Sequence, residues 1–199
     1  MAEIVKTITE IEDLFREVVC MIFGITPDEN HKRIRFPWGS ALDTLWGPTS
    51  VPDWQRNEDV CFIYALPMDD TYNRQRDRRN VDRGGRDLVA IDEHTDVHNM
   101  LFVNYGPNAY GYARKIRDGL FLDDVRRLLR RNHFYLVPNI PAPRRAPELV
   151  NGEWWNRVDV NVPFNQFVRL ESVMTTIEKV DVRIAAAGDG GERHLIVEP

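Results

Sequence analysis

Apolar and polar side chains alternate along residues 153–184 for most of two strands. Val158, Val160, Val162 and Phe164 fall on one face, with Arg157, Asp159, Asn161 and Asn165 near or on the other. After a break, Val180, Val182 and Ile184 repeat the pattern against Asp181 and Arg183. A period of two marks a sheet with one wet and one buried face, so a hairpin is expected here. Pro163 interrupts it and predicts an edge or a bulge at that point.

Over residues 7–23 the period changes to that of a helix. Ile8, Ile11, Leu14, Phe15, Val18, Val19 and Ile22 form one stripe, with Glu10, Glu12, Asp13 and Arg16 facing away. Thr7 with Glu10 reads as a capping box and Gly24 as the stop. Residues 24–58 are turn-like, rich in Pro and Gly, with Trp38, Trp46 and Trp54 between them. Such tryptophans plug a core edge or reach a partner, the plug being favoured because large aromatics are mostly buried.

The continuous run Val60–Leu66 predicts a buried strand. Residues 69–87 carry arginines and aspartates with few apolar residues and Gly84-Gly85. That composition predicts a long hairpin excursion, either solvated or ordered against a neighbour. A strand begins at Leu88 and resumes over Val97–Tyr105. After the breaker Gly106-Pro107-Asn108, helices are expected at 108–118, with Ala109, Tyr112, Ala113 and Ile116 inward, and at 122–131. In the second, Leu122, Val125, Leu128 and Leu129 point inward and Arg126, Arg127, Arg130 and Arg131 outward. Phe134–Val137 is a further strand, followed by a stiff proline-rich loop. Residues 185–191 read as a flexible linker, and 194–197 as a last short strand.

The fold class that follows is α+β: a mainly antiparallel sheet packed by an N-terminal helix and a central helix pair, with a long inter-strand hairpin arm at 69–87. One domain spans 1–184, with 24–58 as an irregular insertion; 185–199 is linker and tail. The 199 residues, 43% hydrophobic, suffice for one core. A net charge of −5 argues against a dedicated nucleic-acid binder. Cys20 and Cys61 sit in apolar runs as buried thiols. No signal-like segment opens the chain, and no apolar run approaches the ~20 residues of a membrane span, so cytosolic synthesis away from membranes is expected.

Candidate chemistry is sparse. Asp92-Glu-His-Thr-Asp-Val-His98 offers His94, Asp96 and His98 to a metal if they share a face. Alternation places them together on the solvent side opposite Val97, with no fourth ligand nearby, so polar strand surface is the favoured reading. Gly39-Ser40 lacks the frame of a nucleophile elbow, and Gly188-Asp-Gly-Gly191 has no lysine and is not a phosphate loop. Arg144-Arg145 and the arginine face of 126–131 have the chemistry to touch phosphates, but solvated surface fits the acidic total better. Trp154 and Trp155 are adjacent on a strand and point opposite ways, so at most one is core. No catalytic residue, cofactor or metal is expected.

Three segments carry a resemblance: Val103-Asn-Tyr-Gly-Pro-Asn-Ala-Tyr-Gly-Tyr-Ala-Arg-Lys-Ile-Arg-Asp-Gly-Leu120, the arginine-bearing Leu128-Leu129 helix, and Trp155-Asn-Arg-Val-Asp-Val-Asn-Val-Pro-Phe-Asn165 with 176–184. In this order the chain resembles the tail terminator (neck terminator) proteins of tailed bacteriophages. The resemblance implies a structural virion protein forming a ring, most often a hexamer, at the head-proximal end of the tail. Such a ring ends tail-tube growth and joins tail to head. Implied partners are copies of itself, the tail tube protein, the head–tail connector or stopper, and the sheath where there is one. DNA passes through the lumen without specific binding. The virion neck is the implied location, after assembly in the host cytoplasm. Candidate interface residues are Arg74, Arg76, Arg78, Arg79, Asp82 and Arg83 in the arm, with Trp154 and Trp155. The alternatives left open are another neck protein (connector or stopper) and, more remotely, a metal-dependent hydrolase on the histidines.

Overall fold

The computed structural model describes residues 3–26, 33–36, 54–83, 88–150, 152–174, 180–185 and 192–197. Most of the turn-rich segment, including Trp38 and Trp46, lies outside them, as do Gly84-Gly85 and the 186–191 part of the linker.

Helix α1 (Ile8–Phe23) starts and stops where local chemistry dictates. Glu10 N–H donates to Thr7 Oγ1 (3.3 Å), and Thr7 N–H donates to Glu10 Oε2 (2.7 Å). Gly24 closes the helix at φ 69°, a left-handed conformation. Ile11, Leu14, Phe15, Val18, Val19 and Ile22 are buried as the spacing predicts. Two positions differ. Ile8 is exposed at the first turn, and Glu12 is buried, its Oε1 accepting the Ala65 N–H at 3.4 Å. The helix is covered by β1, β2, α2 and α3, so its buried stripe is wider than the apolar one. Burial also pushes the Glu12 carboxyl above its ordinary pKa.

The sheet is built on two 18-residue strands, β4 (Leu88–Tyr105) and β9 (Arg157–Met174), paired antiparallel from Leu88↔Met174 to Tyr105↔Arg157. Strand β1 (Ile34–Arg35) runs parallel to β2 (Val60–Pro67), which lies on the C-terminal half of β4. Strand β3 (Arg76–Asp82) takes the N-terminal half of the same β4 edge. On the far edge, β5 (Phe134–Leu136) and β6 (Arg144–Arg145) pair with β9, and Ile4 bridges to Arg169. The order is β1-β2-β4-β9-β5. Helices α2 (Ala109–Gly119) and α3 (Asp123–Arg131) complete the α+β fold.

Three expectations are corrected here. The alternating strand pairs with β4 and not with 176–184, because alternation fixes which face is buried but not which strand is the neighbour. Residues Val180–Ala185 form β10, paired instead with β11 (Glu192–Val197) in a separate ribbon. Leu88–Tyr105 is unbroken, since β9 pairs with its polar centre throughout. The arm is no loose excursion: its second half is a strand of the sheet.

Pro163 sits in an interior strand without harm. Its carbonyl accepts from Val137 N–H at 3.1 Å. In an antiparallel ladder a residue's N–H and C=O point to one side. The missing N–H is therefore directed away from β4, where β5 ends. The expected edge or bulge is therefore not needed: β9 stays interior and in register, and the proline nitrogen faces the end of β5 and not the β4 ladder.

Apolar residues cover both faces of the sheet. On one, Phe15 packs against Phe164 (centroids 4.7 Å), Phe134 (5.6 Å) and Phe102 (6.4 Å) beneath the three helices. On the other, Trp54, Phe62, Tyr105, Val150 and Trp155 form a second cluster. That accounts for the unbroken apolar run of β2, whose residues are buried on both sides. Trp54 is the core plug expected of it. Gly119 lets α1 and α2 close together, since a Cβ there would lie 2.6 Å from Ile22 Cγ2.

Candidate assembly surfaces

The turn after β4 is where distant segments lock together. Gly106 has φ 112°, and a Cβ would stand 2.5 Å from the Glu58 carbonyl oxygen, so only glycine fits. Its N–H donates to the Asn156 carbonyl (3.2 Å), and Asn156 Nδ2 returns a bond to the Gly106 carbonyl (2.8 Å). Asp59 accepts from Asn108 N–H (2.8 Å) and Nδ2 (2.9 Å). Buried Asn104 donates to the Phe102 and Val158 carbonyls. Each polar residue of the Asn104–Asn108 turn thus has a structural bond that ties β2, β4 and β9 at one end.

Beside this corner, Tyr105 Oη donates to Glu148 Oε2 at 2.6 Å, and Arg157 reaches the same oxygen at 3.2 Å. Arg157 also clasps Asp159 through Nε (2.9 Å) and Nη2 (3.0 Å). Burial and the hydrogen bond to Glu148 push the Tyr105 hydroxyl well above its ordinary pKa. Its bond to Asp159 holds Arg157 firmly charged. The network anchors the small hairpin of β7 (Glu148–Val150) and β8 (Glu153–Trp155). Trp155, 9% exposed, joins the second core, while Trp154, 61% exposed, faces out directly opposite Leu149, 57% exposed. The two tryptophans do point opposite ways.

The arm begins with a staple. Met68 N–H donates to the Val97 carbonyl (2.9 Å), and Asn73 Oδ1 accepts the Val97 N–H (2.8 Å) while its amide reaches the Met68 carbonyl. The short 3-10 turn Thr71–Arg74 thereby bridges the gap between β2 and β3. Most arm arginines find partners within the chain. Arg74 meets Asp69 (2.9 Å), Arg76 meets Asp92 (3.4 Å), Arg79 meets Glu93 (3.2 Å) and Arg83 meets Glu171 (2.6 Å). Arg78 is exposed with no ion pair among the described residues, and Asp82 lies at the end of the strand. The outer edge of β3 is exposed and polar throughout except for half-buried Val81.

The histidines do not form the surface set expected of them. Even-numbered positions of β4 carry Met100 and Phe102 into the main core, so His98 is buried on that face against Phe134. His98 Nε2 bonds Gln166 Oε1 at 2.7 Å, and burial holds the ring below its ordinary pKa. His94 touches Asp96, Asp92 and Arg76. Among the described residues no group of three or more His, Cys, Asp or Glu is placed to hold a metal ion.

Comparison with known families decides the identity. A family model described as phage neck terminator protein matches residues 43–190. The chain belongs to that family. No curated protein matches it. The neck terminator match takes in the Gly106 corner, both long strands, the arm and the helix pair; α1 lies outside it. Membership makes the chain a structural component of the virion in the neck region.

Sequence reasoning missed Leu122, expected inward but exposed at the start of α3, and Leu149 opposite Trp154. Asn151-Gly152 between two short apolar runs was the available hairpin signal for the second.

Proposed function

We propose that this neck terminator protein closes into a homomeric ring, of six copies, that ends tail-tube growth and joins tail to head. The observation that carries this reading is the family match over residues 43–190. The subunit suits such a ring. Its rigid double-faced centre leaves the β3 edge, the β10–β11 ribbon and the Leu149–Trp154 pair at its margins, and exposed strand edges and aromatics are docking elements. Arg78, Asp82 and the outer edge of β3 meet the next copy, as do Trp154 and its hairpin. The tube protein below and the connector or stopper above complete the contacts, with DNA passing through the lumen.

Light scattering with electron microscopy of purified protein, alone and with tail tubes, tests the reading. Closed rings of one size that cap the tubes are expected. A lone subunit under both conditions removes the proposal. Trp154→Ser and Arg78→Glu should leave the subunit folded and weaken the ring; rings of unchanged stability would take these residues out of the interface.

A further inference from the structure

The helical layer carries two exposed strips that match each other. Along α3, Asp123, Arg126, Arg127, Arg130 and Arg131 line a shallow open depression of ≈ 440 Å³. Four arginines on one helix face stand out in a chain of net charge −5. Only Arg127 has an ion pair among the described residues, with Asp124 at 3.6 Å. Along α1, Asp13 and Glu17 are exposed one turn apart, without an ion pair among the described residues, and Glu10 continues the strip. Below them lies Met21, 41% exposed; ahead of the arginines lies Leu122, 54% exposed.

Resting on the ring reading, we propose that α3 of one copy docks antiparallel on α1 of the next. The spacing supports the pairing. Leu122, Arg126 and Arg130 recur every four residues, as do Met21, Glu17 and Asp13. Each step is about 6 Å along a helix. Laid antiparallel, the sequence apolar–basic–basic meets apolar–acidic–acidic in register: Leu122 on Met21, Arg126 on Glu17, Arg130 on Asp13. No ion pair joins the two strips within one chain among the described residues, so both remain available. The contact joins unlike surfaces, the head-to-tail type that a closed ring requires. Charge complementarity sets its register and partner choice, and the apolar end adds desolvated area.

The test is a charge-reversal cycle on the full chain, read by light scattering across concentration. R126E/R130E and D13R/E17R should each weaken self-association at least about tenfold, with melting and circular dichroism confirming folded subunits. Combining all four on one chain should restore assembly, because every contact regains opposite charges. R126Q/R130Q, which places no acid near the helix end, should show a smaller loss and guards against a folding artefact. Silent reversals in a protein that still forms rings overturn the helix contact alone, as does failure of the quadruple variant to recover. Reversals that act on an assembly stopping at two copies keep the contact and remove the ring. A wild-type chain that never associates removes both. If R126E/R130E assembles normally but loses binding to a DNA duplex, the arginine face serves a polyanion and the proposal fails.

Discussion

The two halves of the β4–β9 ladder share backbone geometry and differ in almost everything else. Over 97–105 and 157–165 the pair is sandwiched between two apolar clusters, with Phe102 on one side and Val103 and Tyr105 on the other. Over 88–96 and 166–174 it carries β3 and a set of ion pairs, Arg79 and Arg169 converging on Glu93 and Arg83 on Glu171. The first half is held by burial, worth about 25 cal/mol per Å² of apolar surface. The second buries fewer residues, Val89, Ala90, Ile91 and Val168, and adds the β3 ladder and ion pairs whose carboxylates, Glu93 and Glu171, are themselves mostly covered. One strand pair thus carries two different kinds of packing along its length.

Substitutions should separate the halves by magnitude. Phe15→Ala empties the middle of the aromatic cluster and should cost about 3–5 kcal/mol, read by denaturant unfolding. A loss below about 1 kcal/mol would mean that the helical layer does not hold the centre. Gly106→Ala meets both a left-handed backbone and the Glu58 carbonyl, and should cost about 1–3 kcal/mol from strain alone; a neutral result would dissolve the corner as a structural lock.

The third prediction is a pH effect. Burial lowers the His98 pKa, so the folded chain binds fewer protons than the unfolded one near its ordinary value of about 6.5. This contribution is complete above about pH 7 and is lost as pH falls below about 6.5. Melting at pH 7.5 and 5.5 should show the drop, reduced in His98→Gln; equal drops in both proteins would assign it elsewhere. Smallest of all, Arg79→Ala in the charged half should cost under about 1 kcal/mol, because Arg79 is largely exposed and Glu93 keeps Arg169. A loss of several would erase the contrast between the halves.

Local chemistry made much of this fold readable. The Thr7–Glu10 box, the Gly24 stop, the inward set Val158, Val160, Val162 and Phe164, and the opposed Trp154 and Trp155 all follow from spacing alone. Pairing did not, because the β4–β9 partners lie 52 to 86 residues apart, a separation that no local pattern encodes. Hence the alternation of β9 names no particular neighbour, and Arg76–Asp82, polar enough to resemble a loop, is a strand of the sheet. The histidines were misplaced for a related reason. Which face of β4 is wet depends on where α1–α3 lie, and His98 gains a buried partner, Gln166, from the far strand. The candidate interface was readable only as composition; its pairing with Asp92, Glu93 and Glu171 needed the register.

The 18-residue overlap of β4 and β9 has a mechanical consequence. At about 3.3 Å per residue it spans roughly 60 Å. Tension applied along that axis loads the cross-strand bonds in shear, so many must rupture together and not one after another as in an unzipping. The subunit should therefore resist pull best along this direction and least across it.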